Sequence, residues 1–107
     1  MRRFLFVLMV GWAGSAGAEA PGPISVTLKD HRFLPAEIHV PSGKPVTLLV
    51  TNLDDEMEEF DSSALKIEEV IPGGHHALIR LRPLGPGRFP FMGEYHPDTA
   101  VGVVVSE

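Results

Sequence analysis

Side chains that can bind metal ions lie close together near the end of the chain. Met92, Glu94 and His96 supply a thioether, a carboxylate and an imidazole, all of which can be metal ligands. A second polar group occupies the acidic stretch at residues 54–61. If the fold brings the two stretches together, they can share one ion. The predicted metal ligands are Met57, Glu59, Asp61, Met92 and His96.

The ligand types indicate which ions such a site would hold. A thioether with an imidazole favours copper, particularly Cu(I), whereas carboxylates favour harder ions, including Cu(II) and iron. The sequence therefore predicts one copper or iron ion, with Glu58 and Glu94 as optional further ligands. Two other interpretations stay open: Met92 packing in the core, and the acidic residues forming a solvated strand edge that discourages edge-to-edge pairing.

Other chemistries have weaker support. The chain has no cysteine, which excludes thiolate nucleophiles, disulfides and cysteine-ligated copper. No serine has a nucleophile motif, and no glycine-rich phosphate loop is present. His31 and His39 are weaker ligand candidates, and His75 with His76 could form a second surface site. We therefore expect a protein that is not an enzyme.

The first residues are typical of an export signal. Arg2 and Arg3 precede an apolar run at residues 4–12, and residues 16–18 form a small-residue cleavage site. Residues 1–18 are predicted to be a cleaved signal peptide, and residues 19–107 one domain. Two of the nine basic residues leave with the leader, so seven remain against fourteen acids, a formal charge of −7. This charge argues against nucleic acid as a partner.

The mature chain is patterned as short strands. Ile24, Val26 and Leu28 alternate with polar residues, and Val46, Leu48 and Val50 give one apolar face. Turn residues recur roughly every eight to twelve positions, and no window keeps a helical period. The pattern predicts an all-β sandwich of seven to eight strands, in which Asp30 to Pro35 form a turn.

Four segments give the chain a family resemblance. They are FLPAEIHVPSG at residues 33–43, VTN at 50–52, EFD at 59–61 and PGRFPF at 86–91. With these the chain resembles the cupredoxin-like family, a Greek-key β-sandwich, and within it the EfeO-type periplasmic domains that lack the type 1 copper cysteine. The resemblance places Met92 at the family's cysteine position and His96 at a histidine ligand position, and it leaves the upstream histidine without a counterpart.

The resemblance also implies a function. It suggests a periplasmic copper- or iron-binding protein without a type 1 blue copper centre, acting as an accessory of metal or iron uptake beside an inner-membrane permease. A metal-free β-sandwich that docks on a membrane transporter or receptor is the second hypothesis. A ferroxidase-type metal oxidase is a third hypothesis, with the least support, because a single small domain carries only one predicted site.

Overall fold

Residues 22–107 are described by a computed structural model and contain nine β-strands. The predicted leader and its cleavage site lie outside the described residues. The strands are β1 Ile24–Lys29, β2 Arg32–Leu34, β3 Glu37–Val40, β4 Val46–Asn52, β5 Glu58–Ser62, β6 Ile67–Ile71, β7 His76–Leu81, β8 Gly87–Gly93 and β9 Val101–Ser106.

The strands form two sheets, with the orders β2-β1-β4-β7 and β3-β9-β8-β5-β6. Two pairs, β1 with β4 and β3 with β9, are parallel, and the other pairs are antiparallel. The predicted all-β sandwich is confirmed. It has more strands than predicted because residues 32–34, expected within a turn, pair with β1 as a hairpin. No helix in residues 22–107 is long and apolar enough to cross a bilayer.

The core lies between the two sheets. Val46, Leu48 and Val50 are buried on one face of β4, as their alternation predicts. Phe33, Phe60 and Phe91 form an aromatic cluster. The ring centroid of Phe33 lies 5.8 Å from that of Phe60 and 5.1 Å from that of Phe91, and the centroids of Phe60 and Phe91 lie 4.7 Å apart. These are favourable aromatic distances, so the three phenylalanines join β2, β5 and β8 across the core.

β5 determines which acidic side chains face in and which face out. Along this strand Glu58, Phe60 and Ser62 are buried, while Glu59 and Asp61 are only partly buried. Glu59 and Asp61 therefore share the outer face of β5, and Glu58 and Phe60 share the inner face. A carboxylate, Glu58, therefore occupies the first core-facing position of β5, where charged side chains are rarely found.

Candidate metal centre

His31 is held at the tip of the β1–β2 hairpin. Asp30 and His31 form a two-residue turn with φ of 54° and 59°, both in the left-handed region, as in a type I′ hairpin. The Asp54 carboxylate accepts hydrogen bonds from both backbone amides, at 2.7 Å from Asp30 and 2.9 Å from His31. This carboxylate fixes a backbone conformation that non-glycine residues rarely adopt, and with it the position of the His31 ring.

Those hydrogen bonds also affect the carboxylate that accepts them. Partial burial disfavours the ionised form of Asp54, but the amide hydrogen bonds from His31 and Asp30 outweigh it and lower the pKa of Asp54. The side chain therefore stays ionised at neutral pH and keeps the turn in place.

Glu56 is positioned by a buried asparagine at the end of β4. Asn52 is fully buried, and its side-chain amide donates to the carbonyls of Glu56, at 2.8 Å, and Ile71, at 3.0 Å. Its side-chain oxygen accepts from the Asp54 amide at 3.0 Å. Two of these bonds hold the acidic loop, residues 53–57, and the third ties it to the end of β6, so both polar atoms of the buried amide have partners.

His96 lies in the loop of residues 94–100 between β8 and β9. Its backbone carbonyl accepts from the amides of Thr99 and Ala100, and its own amide donates to the carbonyl of Gly93. The ring Nδ1 lies 2.6 Å from Oε2 of Glu58, which is only 2 % exposed. The amides of Tyr95 and Glu59 donate to Oε1 of the same carboxylate, at 2.8 and 3.1 Å.

Glycine at position 93 makes room for this buried carboxylate. A Cβ atom there would lie 2.6 Å from Cδ of Glu58 and 2.8 Å from Cβ of Ala100. Both separations are shorter than normal van der Waals contact, so a larger residue would displace Glu58 or the loop.

Two imidazoles and one carboxylate converge at this end of the sandwich. The rings of His31 and His96 stack with centroids 3.6 Å apart and an interplanar angle of 11°. Their Nε2 atoms lie 3.2 and 3.1 Å from the same oxygen, Oε1 of Glu56. Ligand atoms from all three residues lie within 4.8 Å of one another. We call His31, Glu56 and His96 the histidine cluster.

The electrostatics of the histidine cluster favour a cation. The hydrogen bond to Glu58 raises the pKa of His96; partial burial opposes the shift, and the charges of Glu58 and Glu56 reinforce it. The carboxylates of Glu56 and Glu58 thus both face the His96 ring, and Glu56 also faces the His31 ring. A metal ion bound to the Nε2 atoms would meet the same negative field.

The structure divides the five ligands predicted from sequence into two groups. His96 lies in the histidine cluster, on the side of β5 that carries Glu58. Glu59 and Asp61 lie on the outer face of that strand, where Met92 pairs in register with Asp61 and is 38 % exposed. Met57 precedes β5 and is 53 % exposed. The acidic stretch at residues 54–61 and the His96 loop do meet, as the metal hypothesis requires, but through Glu56 and Glu58.

His31 is the candidate ligand that sequence reasoning undervalued. The resemblance left the upstream histidine without a counterpart near residues 54–59, whereas the hairpin tip brings one from an earlier part of the chain. Its signal was slight: a two-residue Asp30–His31 turn between the alternating residues of β1 and β2. A two-residue hairpin turn is usually recognised in a sequence by its glycine, and this turn has none.

Comparison with known proteins identifies the family. The cupredoxin-like domain family matches residues 2–105. The chain belongs to this family. This cupredoxin-like domain is also 37 % identical over 82 residues to an uncharacterized protein of Rickettsia prowazekii (strain Madrid E), covering 77 % of this chain and 66 % of that protein. It therefore spans slightly less than two thirds of that relative.

Solved structures support the same fold. The metal binding domain of the Streptococcus pneumoniae D39 Cu(I) exporting P-type ATPase CopA, with Cu(I), has a TM-score of 0.68 and 20 % identity, covering 79 % of this chain and 84 % of that one. A point mutant of amicyanin in its oxidized state has a TM-score of 0.65 and 20 % identity, covering 86 % and 89 %. A purple cupredoxin from Nitrosopumilus maritimus scores 0.60 at 16 % identity, covering 78 % and 99 %.

The residues present do not fit a type 1 copper centre. The chain contains no cysteine, so no thiolate is available for such a site. Met92, at the position where the resemblance expects that cysteine, lies on the outer face of β8 and lines a different surface from His96. The histidine cluster does fit a transition-metal ion, since two imidazole nitrogens and a carboxylate oxygen are ligands for copper, iron and zinc.

Proposed function

We propose that this cupredoxin-like domain is an exported protein that binds one copper or iron ion at His31, Glu56 and His96. The convergence of two Nε2 atoms on one exposed carboxylate oxygen is the observation that carries the proposal. Ligands of the histidine cluster come from three separate parts of the chain, and Asp54, Asn52 and Glu58 hold the three segments in place.

The donor set favours an oxidised or divalent ion. Nitrogen and oxygen ligands suit Cu(II) and Fe(II) better than Cu(I), which prefers sulfur. Among first-row divalent ions Cu(II) generally binds such sites most tightly. We therefore expect Cu(II) to bind more tightly than Fe(II), and Cu(I) to bind most weakly of the three.

Residues 1–18 support a periplasmic location, because they have the composition of a signal peptide. Resemblance to the EfeO-type domains supports an accessory role beside a membrane metal permease, which would receive the ion. The proposed role is binding and transfer rather than catalysis, and the isolated domain should therefore not accelerate the oxidation of Fe(II) in air beyond the rate of a protein-free control.

Calorimetric titration of purified residues 19–107 tests the proposal. The domain is titrated separately with Cu(I), Cu(II), Fe(II) and Fe(III), beside the double variant His31→Gln/His96→Gln. We expect one equivalent of ion to bind the parent and none to bind this variant. A matched double variant, His75→Gln/His76→Gln, removes the same number of imidazoles from the turn before β7 and the first residue of that strand, and it should bind normally.

Two results would contradict the proposal. One is unchanged binding by His31→Gln/His96→Gln, with circular dichroism showing that the variant is folded. The other is loss of binding in Met92→Ala, because Met92 lies outside the histidine cluster. That second result would support the outer-face ligands predicted from the sequence.

A further inference from the structure

A groove lies on the outer face of the five-stranded sheet, away from the histidine cluster. It is open to solvent and has a volume of about 830 Å³. Apolar side chains line much of it, and two of them, Met92 and Val101, are 38 % and 50 % exposed and paired in register across β8 and β9. Pro90 and Pro97 extend the apolar strip. We call this surface the outer-face groove.

Carboxylates border one side of the outer-face groove. Register places Met92 opposite Asp61, and Asp61 opposite Glu68, so that the apolar strip passes directly into an acidic row. Carboxylate oxygens of Glu59, Asp61 and Glu68 lie within 4.8 Å of one another. Like charges are therefore concentrated beside an apolar surface.

These acids lack cationic partners within the described part of the chain. The ion pairs among residues 22–107 involve Glu37, Glu56, Glu58 and Glu107 as the acids. None of them involves the acidic row. Lys66 lines the outer-face groove but makes no ion pair within 4 Å. A cation supplied from outside would relieve this repulsion.

We infer that the outer-face groove is a docking surface for a cationic, partly apolar segment of a partner protein. Charge complementarity and the adjoining apolar strip together support this occupant. An apolar side chain of the partner would cover Met92 and Val101, and a lysine or arginine would reach Asp61 and Glu68. Such a pairing of an apolar contact with a charged border is typical of protein interfaces.

Other occupants fit the surface less well. A second copy of the chain would bring identical carboxylates face to face across a two-fold interface, which is unfavourable. An anionic membrane surface would be repelled by the same charges. A bare metal ion would satisfy the carboxylates but would leave Met92 and Val101 uncovered. The inference does not depend on the proposed metal site, since no residue of the histidine cluster lines this groove.

Peptide titration followed by NMR tests the inference. The first probe is an eight-residue peptide of alternating arginine and leucine, added to ¹⁵N-labelled residues 19–107. Two control peptides replace arginine by glutamate or leucine by serine. We expect the arginine–leucine peptide to shift amide resonances of Asp61, Met92, Val101 and Gly102, and to bind at least about fivefold more tightly than either control. Raising the salt concentration should weaken binding.

Variants separate the groove from general electrostatic attraction. Asp61→Asn/Glu68→Gln should weaken binding of the arginine–leucine peptide about tenfold. The charge-matched control Asp30→Asn/Asp55→Asn removes two acids that do not line the outer-face groove and should change binding by less than about twofold. Metal binding by Asp61→Asn/Glu68→Gln should be unchanged, which keeps this test distinct from that of the proposed function.

Three outcomes would overturn the inference. One is equal weakening by the two double variants, and another is resonance shifts spread over the whole acidic surface, because both indicate non-specific attraction. The third is a response to Zn²⁺ or Mn²⁺ at Glu59, Asp61 and Glu68 without any response to peptide. That result would assign the acidic row to a second ion site instead.

Discussion

At the scale of single residues, Glu58 is the side chain on which the proposed metal site most depends. It is a nearly fully buried carboxylate that accepts hydrogen bonds from Tyr95, Glu59 and the His96 ring. Because Glu58 accepts a hydrogen bond from Nδ1 of His96, the proton stays on Nδ1 and Nε2 is free to coordinate a metal ion. Glu58 is thus a positioning residue rather than a ligand.

Replacing Glu58 by glutamine should weaken metal binding while preserving the volume of the side chain. Loss of such an outer carboxylate typically reduces metal affinity about 10- to 100-fold. Calorimetry gives the affinity, and ¹⁵N NMR of the imidazole should reveal a loss of the Nδ1-protonated form. Glu59→Gln, one residue away on the outer face, is the matched control and should bind normally. A larger effect from Glu59→Gln would instead favour the ligand set predicted from sequence.

His39 gives a second prediction at this scale, on stability. Its ring contacts Glu107 at 2.8 Å and Glu37 at 2.9 Å. The hydrogen bond to Glu107, opposed by slight burial and reinforced by Glu37, raises the pKa of His39. Below the pKa of the unfolded state the protonated ring stabilises the fold; as pH rises through the folded-state pKa, that contribution is lost.

The stability difference between the parent and His39→Gln should therefore shrink as pH rises from about 5.5 to 8.5. Urea unfolding at each pH measures this difference. His76→Gln, an exposed histidine without a carboxylate partner among the described ion pairs, should show no comparable trend. A difference that stays constant with pH would mean that the His39 ring acts only through packing.

Sequence reasoning identified His96 but not its partners, for reasons that belong to individual residues. His96 lies four residues from Met92 in a polar loop, so proximity in sequence was enough to suggest it. Glu58 faces away from Glu59 and Asp61, as strand alternation requires, but alternation alone does not predict its burial beneath the His96 loop. A carboxylate is seldom placed in a core-facing row, and only the contacts of a folded loop explain this one.

At the scale of secondary-structure elements, the end of β4 and the acidic loop act as one unit. The side chain of Asn52 connects the loop to β6 through the carbonyls of Glu56 and Ile71. Its backbone also bonds to the turn between β6 and β7, through His75 and Gly74. The VTN segment at residues 50–52 is part of the family resemblance, and the structure shows that its asparagine joins the acidic loop to β6 and to the β6–β7 turn.

Asn52→Ala should destabilise the domain and weaken metal binding. The substitution removes the donor to one buried carbonyl, that of Ile71, and to one partly buried carbonyl, that of Glu56. It also frees the loop that holds Glu56, at a cost of about 1–3 kcal/mol in unfolding free energy. Urea denaturation and calorimetry measure the two effects. Thr51→Ala, the neighbouring change on the opposite face of β4, should cost less and leave binding intact. Equal losses for both variants would refute a specific role for Asn52.

Element-level prediction from sequence succeeded where burial is one-sided. Alternating apolar residues predict the inward faces of β1 and β4, because shifting such a strand by one residue would expose its core side chains. Prediction of the strands is less complete where the chain turns within two residues. The β1–β2 hairpin has no glycine to mark its left-handed turn, so β2 was interpreted as part of a longer turn, and His31 was not placed beside His96.

At the scale of the whole molecule, a small core is held without covalent cross-links. The domain has no cysteine, and small domains bury a lower fraction of their surface than large ones. Three segments that are far apart in sequence meet at the histidine cluster, where Glu56 and the buried Glu58 both contact the His96 ring. An ion bound there would link these segments and selectively stabilise the folded state.

Metal addition should therefore raise the thermal midpoint of the domain. At an ion concentration about 100 times Kd, linkage adds about 2.7 kcal/mol to the unfolding free energy. For a domain of this size about 1 kcal/mol corresponds to 4–8 °C, so the midpoint should rise by about 10–20 °C. Scanning calorimetry of the parent and His31→Gln/His96→Gln, with and without ion, measures the shift. Because only ions that prefer the folded state can raise the midpoint, a rise that persists in the double variant would place the stabilising ion elsewhere, and the acidic row on the outer face would be the next surface to test.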